Sequence, residues 1–319
     1  MKLRSVLTLL AGSLLVLCGG CTRVELLNAT IPRDGYSVVK DIPYGADERQ
    51  KLDIYVPTQP AAGNPVIVFY YGGSWQEGNK DDYLFAGQAF ASKGFITVVA
   101  DYRLYPQVYF PTFMADVADA FAWTHQHIAA YGGNPDNMFA TGHSAGAYNA
   151  IMLTLNRQYL QAAGGNDGWI RGAIGIAGPY DFLPLIDPQI VALFSKEPAN
   201  LTQPITFARP DLPPLLLLTG DKDTDVLPRN SIHLTERLHS MGDDVTLKIY
   251  PNLAHISIAL SLADGFRDKA PVLDDVAAFV NTHIQGNTAG DATTHKIPVG
   301  SAVSGTHTYS DKKTYSSSQ

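Results

Sequence analysis

Short apolar runs alternate with amphipathic stretches along most of this chain. Residues 52–56 (Leu-Asp-Ile-Tyr-Val) alternate and predict a strand. A turn cluster follows at 57–64, rich in Pro, Gly and Asn. Residues 66–71 form a continuous apolar run, as a strand covered on both faces requires. Helical spacing over 82–92 and a second apolar run over 95–100 come next. A long helix is expected over 113–130, then a strand at 138–141 and a helix at 147–155. Further strands are expected at 173–177, 215–219 and 246–250, and helices at 231–241 and 271–285. Residues 180–211 are rich in proline and apolar groups and suit a small cap insertion. Strands alternating with helices predict an α/β class: a mostly parallel central sheet with helices on both faces. The domain is expected over 41–285, preceded by an extended arm at 22–40. From 286 to 319 Gly, Ser, Thr, Lys and His dominate, and a polar, disordered tail is expected. There is no internal repeat.

The first 21 residues carry a different pattern. Lys2 and Arg4 precede an apolar stretch over 6–17 that is too short for a comfortable membrane span, which predicts a secretory signal. Leu17-Cys18-Gly19-Gly20-Cys21 resembles a bacterial lipobox, although Cys18 stands where leucine is usual. The resemblance implies cleavage before Cys21, lipidation of Cys21 and an exported, membrane-anchored protein; plain secretion to the periplasm or medium is the alternative. Both cysteines lie here, so the mature chain has no pair for a disulfide and depends on its core. With 319 residues, 45% hydrophobic and 17% charged, one large domain with a sizeable core is available. The net charge of −7, without a basic block beyond the N-terminus, argues against a nucleic-acid partner.

Candidate chemistry centres on Gly142-His143-Ser144-Ala145-Gly146, a G-x-S-x-G sequence between an expected strand and an expected helix. A strand turning abruptly into a helix presents the serine hydroxyl at the sheet edge, and the helix N-terminus offers N–H groups to a developing negative charge. The plain alternative is a glycine-rich turn without chemistry. A serine nucleophile needs a base, and the base an acid that orients it. Acidic residues follow the apolar strand at 215–219, and Asp221, Asp223 and Asp225 compete for that role. Their Asp-x-Asp-x-Asp spacing is not a calcium loop, because the sixth position is Val226 and the twelfth Ile232. His255 lies on the loop after the last expected strand and is the best base. His125, His127, His233, His239 and His283 fall in expected helices, and His295 and His307 in the tail. Tyr71-Gly72-Gly73-Ser74-Trp75 follows the strand at 66–70. Its glycines allow backbone N–H groups to face a cavity, with Gly73 and Ser74 the expected oxyanion donors and Ala145 the third.

Together these stretches, with Asp101-Tyr102-Arg103-Leu104, Phe110-Pro111, Asp116 and Gly132-Gly133-Asn134-Pro135-Asp136-Asn137, resemble α/β-hydrolase-fold carboxylesterases. The branch is the one carrying His-Gly-Gly-x-Trp, with hormone-sensitive-lipase-like and kynurenine-formamidase-like enzymes. The resemblance runs from about Leu52 to His283. It implies the order Ser, Asp, His for the triad, and its Gly220-x-x-Asp223-x-x-Val226 spacing favours Asp223. The implied activity is ester hydrolysis on a small substrate by Ser144, Asp223 and His255, with no metal or organic cofactor. Amide cleavage by an arylformamidase or small peptidase is an alternative. So are a catalytically silent binding protein of this fold and a scaffold that serves the anchor and tail. Tyr71 stands where the family has histidine. Tyrosine can also donate a hydrogen bond, but from a longer, differently aimed side chain. A different loop geometry, and with it a different substrate choice, is expected without loss of activity. Asp101 and Arg103 are expected to pair structurally near the site.

Overall fold

Five strands have every residue buried: β3 (Val66–Tyr70), β4 (Ile96–Ala100), β5 (Met138–His143), β6 (Gly172–Ile176) and β7 (Leu215–Gly220). Such strands belong at the centre of a sheet sandwiched between helices. The computed structural model describes residues 23–285. The expected signal at 1–21, with Cys18 and Cys21, and the expected tail at 286–319 lie outside the described residues. The sheet has eight strands in the order β1-β2-β4-β3-β5-β6-β7-β8. β1 (Tyr36–Pro43), β2 (Lys51–Pro57) and β8 (Val245–Tyr250) complete it. β2 runs antiparallel to both of its neighbours, and all pairings from β4 to β8 are parallel.

Helices cover both faces. α2 (Leu84–Ser92) packs on β2 and β4, and α9 (Val272–His283) on β6 and β7. On the other face lie α3 (Thr112–His127), α4 (Ala145–Leu155) and α7 (Arg229–His239). The shorter helices are α1 (Arg23–Thr30), α5 (Arg157–Ala162), α6 (Pro188–Phe194) and α8 (His255–Leu260). The core carries Phe69, Phe90, Phe121, Phe139 and Val280. Against α4 and α7 a second apolar cluster gathers Ile151, Leu155, Leu215, Leu217, Leu234 and Leu238. Each such side chain is worth about 1.5–3 kcal/mol on burial. Among the described residues, no helix is long and apolar enough to cross a membrane.

The expected extended arm at 22–40 is not what forms there. It holds α1 and most of β1, so the sheet begins at Tyr36 rather than after 40. β1 alternates in exposure, with Tyr36 and Val38 turned toward the core, and pairs with β2. The physical reason is edge position: half of its residues face solvent, which leaves a weak apolar signal. A register shift between Val39 and Ile42, with Asp41 at φ 57°, interrupts the alternation further. The helix expected over 82–92 divides into a 3-10 turn, Lys80–Tyr83, and α2. Residues 180–211 contain α6 and two 3-10 turns, Ala199–Thr202 and Pro204–Phe207, with Leu193 and Phe194 buried.

The candidate active site

β5 ends where the elbow begins. Ser144 sits between β5 and α4 at φ 56° and ψ −122°, a conformation that non-glycine residues rarely adopt. Such strain costs on the order of 1–3 kcal/mol and persists only where surroundings enforce it. Here the Ser144 N–H donates to the Ile176 carbonyl at 2.9 Å, and its own carbonyl accepts from Tyr148 N–H at 3.0 Å. Gly146 permits the close crossing with β3, because a Cβ there would collide with the Tyr70 backbone carbonyl.

The loops after β7 and β8 bring the other two residues to the hydroxyl. Asp223 Oδ1 accepts the N–H groups of Asp225 at 3.0 Å and Val226 at 2.8 Å. Its Oδ2 lies 2.8 Å from His255 Nδ1. A carboxylate accepts, so Nδ1 carries the proton and Nε2 is left as an acceptor. Nε2 lies 2.9 Å from Ser144 Oγ. Asp223 is 2% exposed, whereas Asp221 and Asp225 are on the surface, and the Asp221 carboxylate instead takes the Asn252 N–H. Of the three competing aspartates, the structure therefore brings only Asp223 to His255. The histidine opens α8, a helix with no counterpart in the sequence expectations.

Opposite the base, Gly73, Ser74 and Trp75 take three consecutive positive φ values of 127°, 53° and 59°. Among the described residues no backbone acceptor is recorded for the N–H groups of Gly73 and Ser74. Ala145 opens α4, where an N–H has no partner inside the helix. The loop is anchored at both ends. Trp75 is buried edge-on against Tyr148 and Phe194, and its indole N–H donates to Asn149 Oδ1 at 2.9 Å. At the other end, Tyr71 is fully buried and its phenol accepts from Arg49 Nη2 at 2.6 Å. Arg49 also donates to the carbonyls of Gly78 at 2.8 Å and Tyr102 at 3.0 Å, while the Tyr102 hydroxyl donates to the Tyr71 carbonyl at 2.8 Å. Arg49 and Asn149 were not legible as support for this loop, because 22 and 74 residues separate them from the groups they hold.

The expected pairing of Asp101 with Arg103 does not form. Arg103 grips Asp116 through Nη2 at 2.6 Å and Nε at 2.9 Å. Asp101 instead accepts the Lys80 N–H at 2.8 Å and lies 3.8 Å from Arg49. Asp116 is fully buried on α3 and offers Arg103 a bidentate partner. Burial raises the Asp101 carboxyl above its ordinary range. Among the described residues, no group of three or more His, Cys, Asp or Glu side chains is gathered as metal ligands.

Ser144 stands at the divide between two cavities. One, of about 580 Å³, is bordered by His255, His143, Gly72, Tyr83, Glu77 and Ile256. The other, of about 170 Å³, is bordered by Trp75, Ala145, Pro179, Phe182, Ile190 and Val226. Val24 of α1 and Asp82 also border the wide cleft, and Ser74 and Asp225 border both.

Comparison with known proteins agrees with this architecture. Residues 52–238, more than half of the chain, match the BD-FAE family, and residues 195–287 match the prolyl oligopeptidase family. A probable isoprenylcysteine alpha-carbonyl methylesterase of Oryza sativa subsp. japonica is 28% identical over 268 residues, covering 76% of this chain and 64% of that protein. A kynurenine formamidase of Salmo salar is 28% identical over 238 residues, covering 70% of this chain and 77% of that protein. The chain thus spans just under two thirds of the plant methylesterases it first matches. Among solved structures, a truncated carbohydrate esterase from gut microbiota superposes with a TM-score of 0.69 at 20% identity, over 79% of this chain and 98% of that one. The fold and the family match agree: this chain belongs to the BD-FAE family and has an α/β-hydrolase fold.

Proposed function

We propose that this protein is a serine carboxylesterase acting on small esters through an acyl-enzyme intermediate. The single observation that carries the reading is the continuous contact Asp223–His255–Ser144, at 2.8 and 2.9 Å, beside two or more unengaged N–H groups. In this reading His255 takes the Ser144 proton as Oγ attacks the ester carbonyl. Asp223 holds the imidazole in the tautomer that leaves Nε2 free, and stabilises the cation that forms. The N–H groups of Gly73, Ser74 and Ala145 receive the oxyanion; removing one such donor costs about 100- to 1000-fold in kcat. His255 then passes the proton to the departing alcohol, and water releases the acyl group by the same route.

The two cavities divide the substrate. A leaving alcohol must lie beside His255 to take its proton, and only the wide cleft is bordered by that residue. The acyl chain then occupies the narrow apolar pocket of about 170 Å³, which suits a short chain. A second reading, cleavage of an aryl formamide, is favoured by the similarity to the formamidase, since the same groups attack an amide carbonyl.

Purified protein is expected to hydrolyse p-nitrophenyl acetate and butyrate well and the decanoate poorly. Ser144→Ala is expected to lose about four to six orders of magnitude in kcat. Turnover that survives the substitution would overturn the assignment of the nucleophile. Turnover of an aryl formamide far above that of the esters would favour the second reading.

A further inference from the structure

We propose that Tyr83 and His143 are positioning residues, which register the oxyanion loop and the loop of the base to the nucleophile elbow through one continuous hydrogen-bonded chain. The inference rests on the esterase reading. It assigns work to two side chains that the triad and the oxyanion hole do not use.

The chain has three links of equal length. Tyr83 Oη accepts the Gly72 N–H at 3.2 Å. Tyr83 Oη lies 3.2 Å from His143 Nδ1. His143 Nε2 lies 3.2 Å from the backbone carbonyl of His255. The directions follow from the carbonyl, which can only accept. Nε2 therefore carries the imidazole proton, Nδ1 accepts from the phenol, and the phenol oxygen is free to accept from Gly72. No member has two donors or two acceptors facing each other. The pattern also survives changes of pH. Burial, reinforced by the neighbouring His255, holds His143 down at about 3, so the ring stays neutral wherever a serine hydrolase works.

Contact geometry makes the link tight rather than incidental. Gly72 rests directly on the elbow: a Cβ there would lie 2.9 Å from Ser144 Cβ and 3.2 Å from His143 Nδ1. The rings of His143 and His255 are 4.9 Å apart. Tyr83 is itself held. It ends the 3-10 turn Lys80–Tyr83, whose start is closed by an Asn79–Asp82 capping box, and its ring stacks on Tyr71 at 5.9 Å. Within that turn Lys80, 2% exposed, reaches the buried Asp53 at 3.0 Å. A fixed post thus stands between the donor loop and the base. Movement of Gly72 would displace the Gly73 and Ser74 N–H groups, and loss of the His143 contact would free the backbone that carries the imidazole. Tyr83 thus supports the loop beside Tyr71, whose own phenol is turned to Arg49.

Tyr83→Phe keeps the ring and its stacking and deletes only the hydroxyl. It is expected to lower kcat on p-nitrophenyl butyrate about 10- to 100-fold, with KM changed by less than about threefold, because the affected donors act on the transition state. Affinity for a trifluoromethyl ketone, which forms a tetrahedral adduct with the serine, is expected to fall by the same factor. His143→Gln, whose amide can still reach the His255 carbonyl, is expected to retain more activity than His143→Leu. The double variant Tyr83→Phe with His143→Leu is expected to lose little more than His143→Leu alone, since both cut one chain. Wild-type kcat and ketone affinity in a folded Tyr83→Phe protein would overturn the proposal. So would a loss confined to KM or to melting temperature, or additive losses in the double variant. If Tyr83→Phe fails to fold, equal activity of His143→Gln and His143→Leu overturns it in the same way. A wild-type protein without Ser144-dependent turnover would overturn the esterase reading itself, and this role with it.

Discussion

His143 illustrates how one residue inside a motif takes on two duties. In the folded protein its pKa is about 3, because burial and the adjacent His255 oppose a second charge; the ordinary value is 6.5. Between these values the unfolded chain binds a proton that the folded chain refuses. Stability from this site is therefore complete above about pH 6.5 and drains away as pH falls toward 3, at up to about 1.4 kcal/mol per pH unit. Replacing His143 by Gln removes the titration. Urea unfolding at pH values of about 7, 5 and 4 is expected to show a shallower acid loss in the variant than in the wild type; parallel curves would refute the burial argument. Nothing local announced this role, because His143 occupies the unspecified position of G-x-S-x-G and its partner Tyr83 lies 60 residues upstream. Ser144 and His255 were legible for the opposite reason. Ser144 directly follows the buried strand β5, and His255 comes shortly after the last strand, at the sheet edge where chemistry in α/β folds gathers. Asp223 was separable from Asp221 and Asp225 only by family spacing; in the structure the difference is that its carboxylate is turned inward and held by two backbone N–H groups.

At the scale of elements, the segment from Gly72 to Trp75 depends on a tryptophan anchor. Gly73 takes its positive φ freely, but those at Ser74 and Trp75 are unfavourable, and the buried indole keeps them in place. Asn149 sits fully buried on α4 and supplies the acceptor for that indole. Asn149→Leu leaves the N–H unpaired and is expected to cost about 1–3 kcal/mol of stability. It is also expected to lower kcat, because the same anchor sets the Ser74 N–H. Chemical denaturation and steady-state kinetics on one preparation check both, and a variant as stable and as active as the wild type would sink the anchor. The buried elements were readable from continuous apolar runs, since β3, β4, β5 and β7 are covered on both faces. β1 was not: Lys40 and Asp41 interrupt its alternation at a bulge, and the edge strand buries one face only. The 3-10 turns at Lys80–Tyr83 and Pro135–Asn137 were missed because three or four residues carry no period.

For the whole molecule, strand order decides what can meet. β3 and β5 are neighbours, and so are β7 and β8, so the segments leaving their carboxyl ends converge on one rim of the sheet. Tyr71 to Trp75, Ser144, Asp223 and His255 all leave that rim, although 184 positions separate the first from the last. The serine divides the space beneath them into a broad chamber and a narrow one. In the proposed acyl-enzyme mechanism, that division orders the traffic of the two steps. Once the first product leaves the broad chamber, the group still bound to the enzyme fills only the narrow one. Whatever small nucleophile diffuses in next arrives beside the imidazole, whether it is water or not. Methanol added to the assay is therefore expected to divert the bound acyl group into a methyl ester, in proportion to its concentration. The ratio of methyl ester to free acid, read by gas chromatography, should be the same for phenyl and p-nitrophenyl butyrate. A ratio that depends on the first alcohol would mean that the two esters do not pass through one common acyl-enzyme.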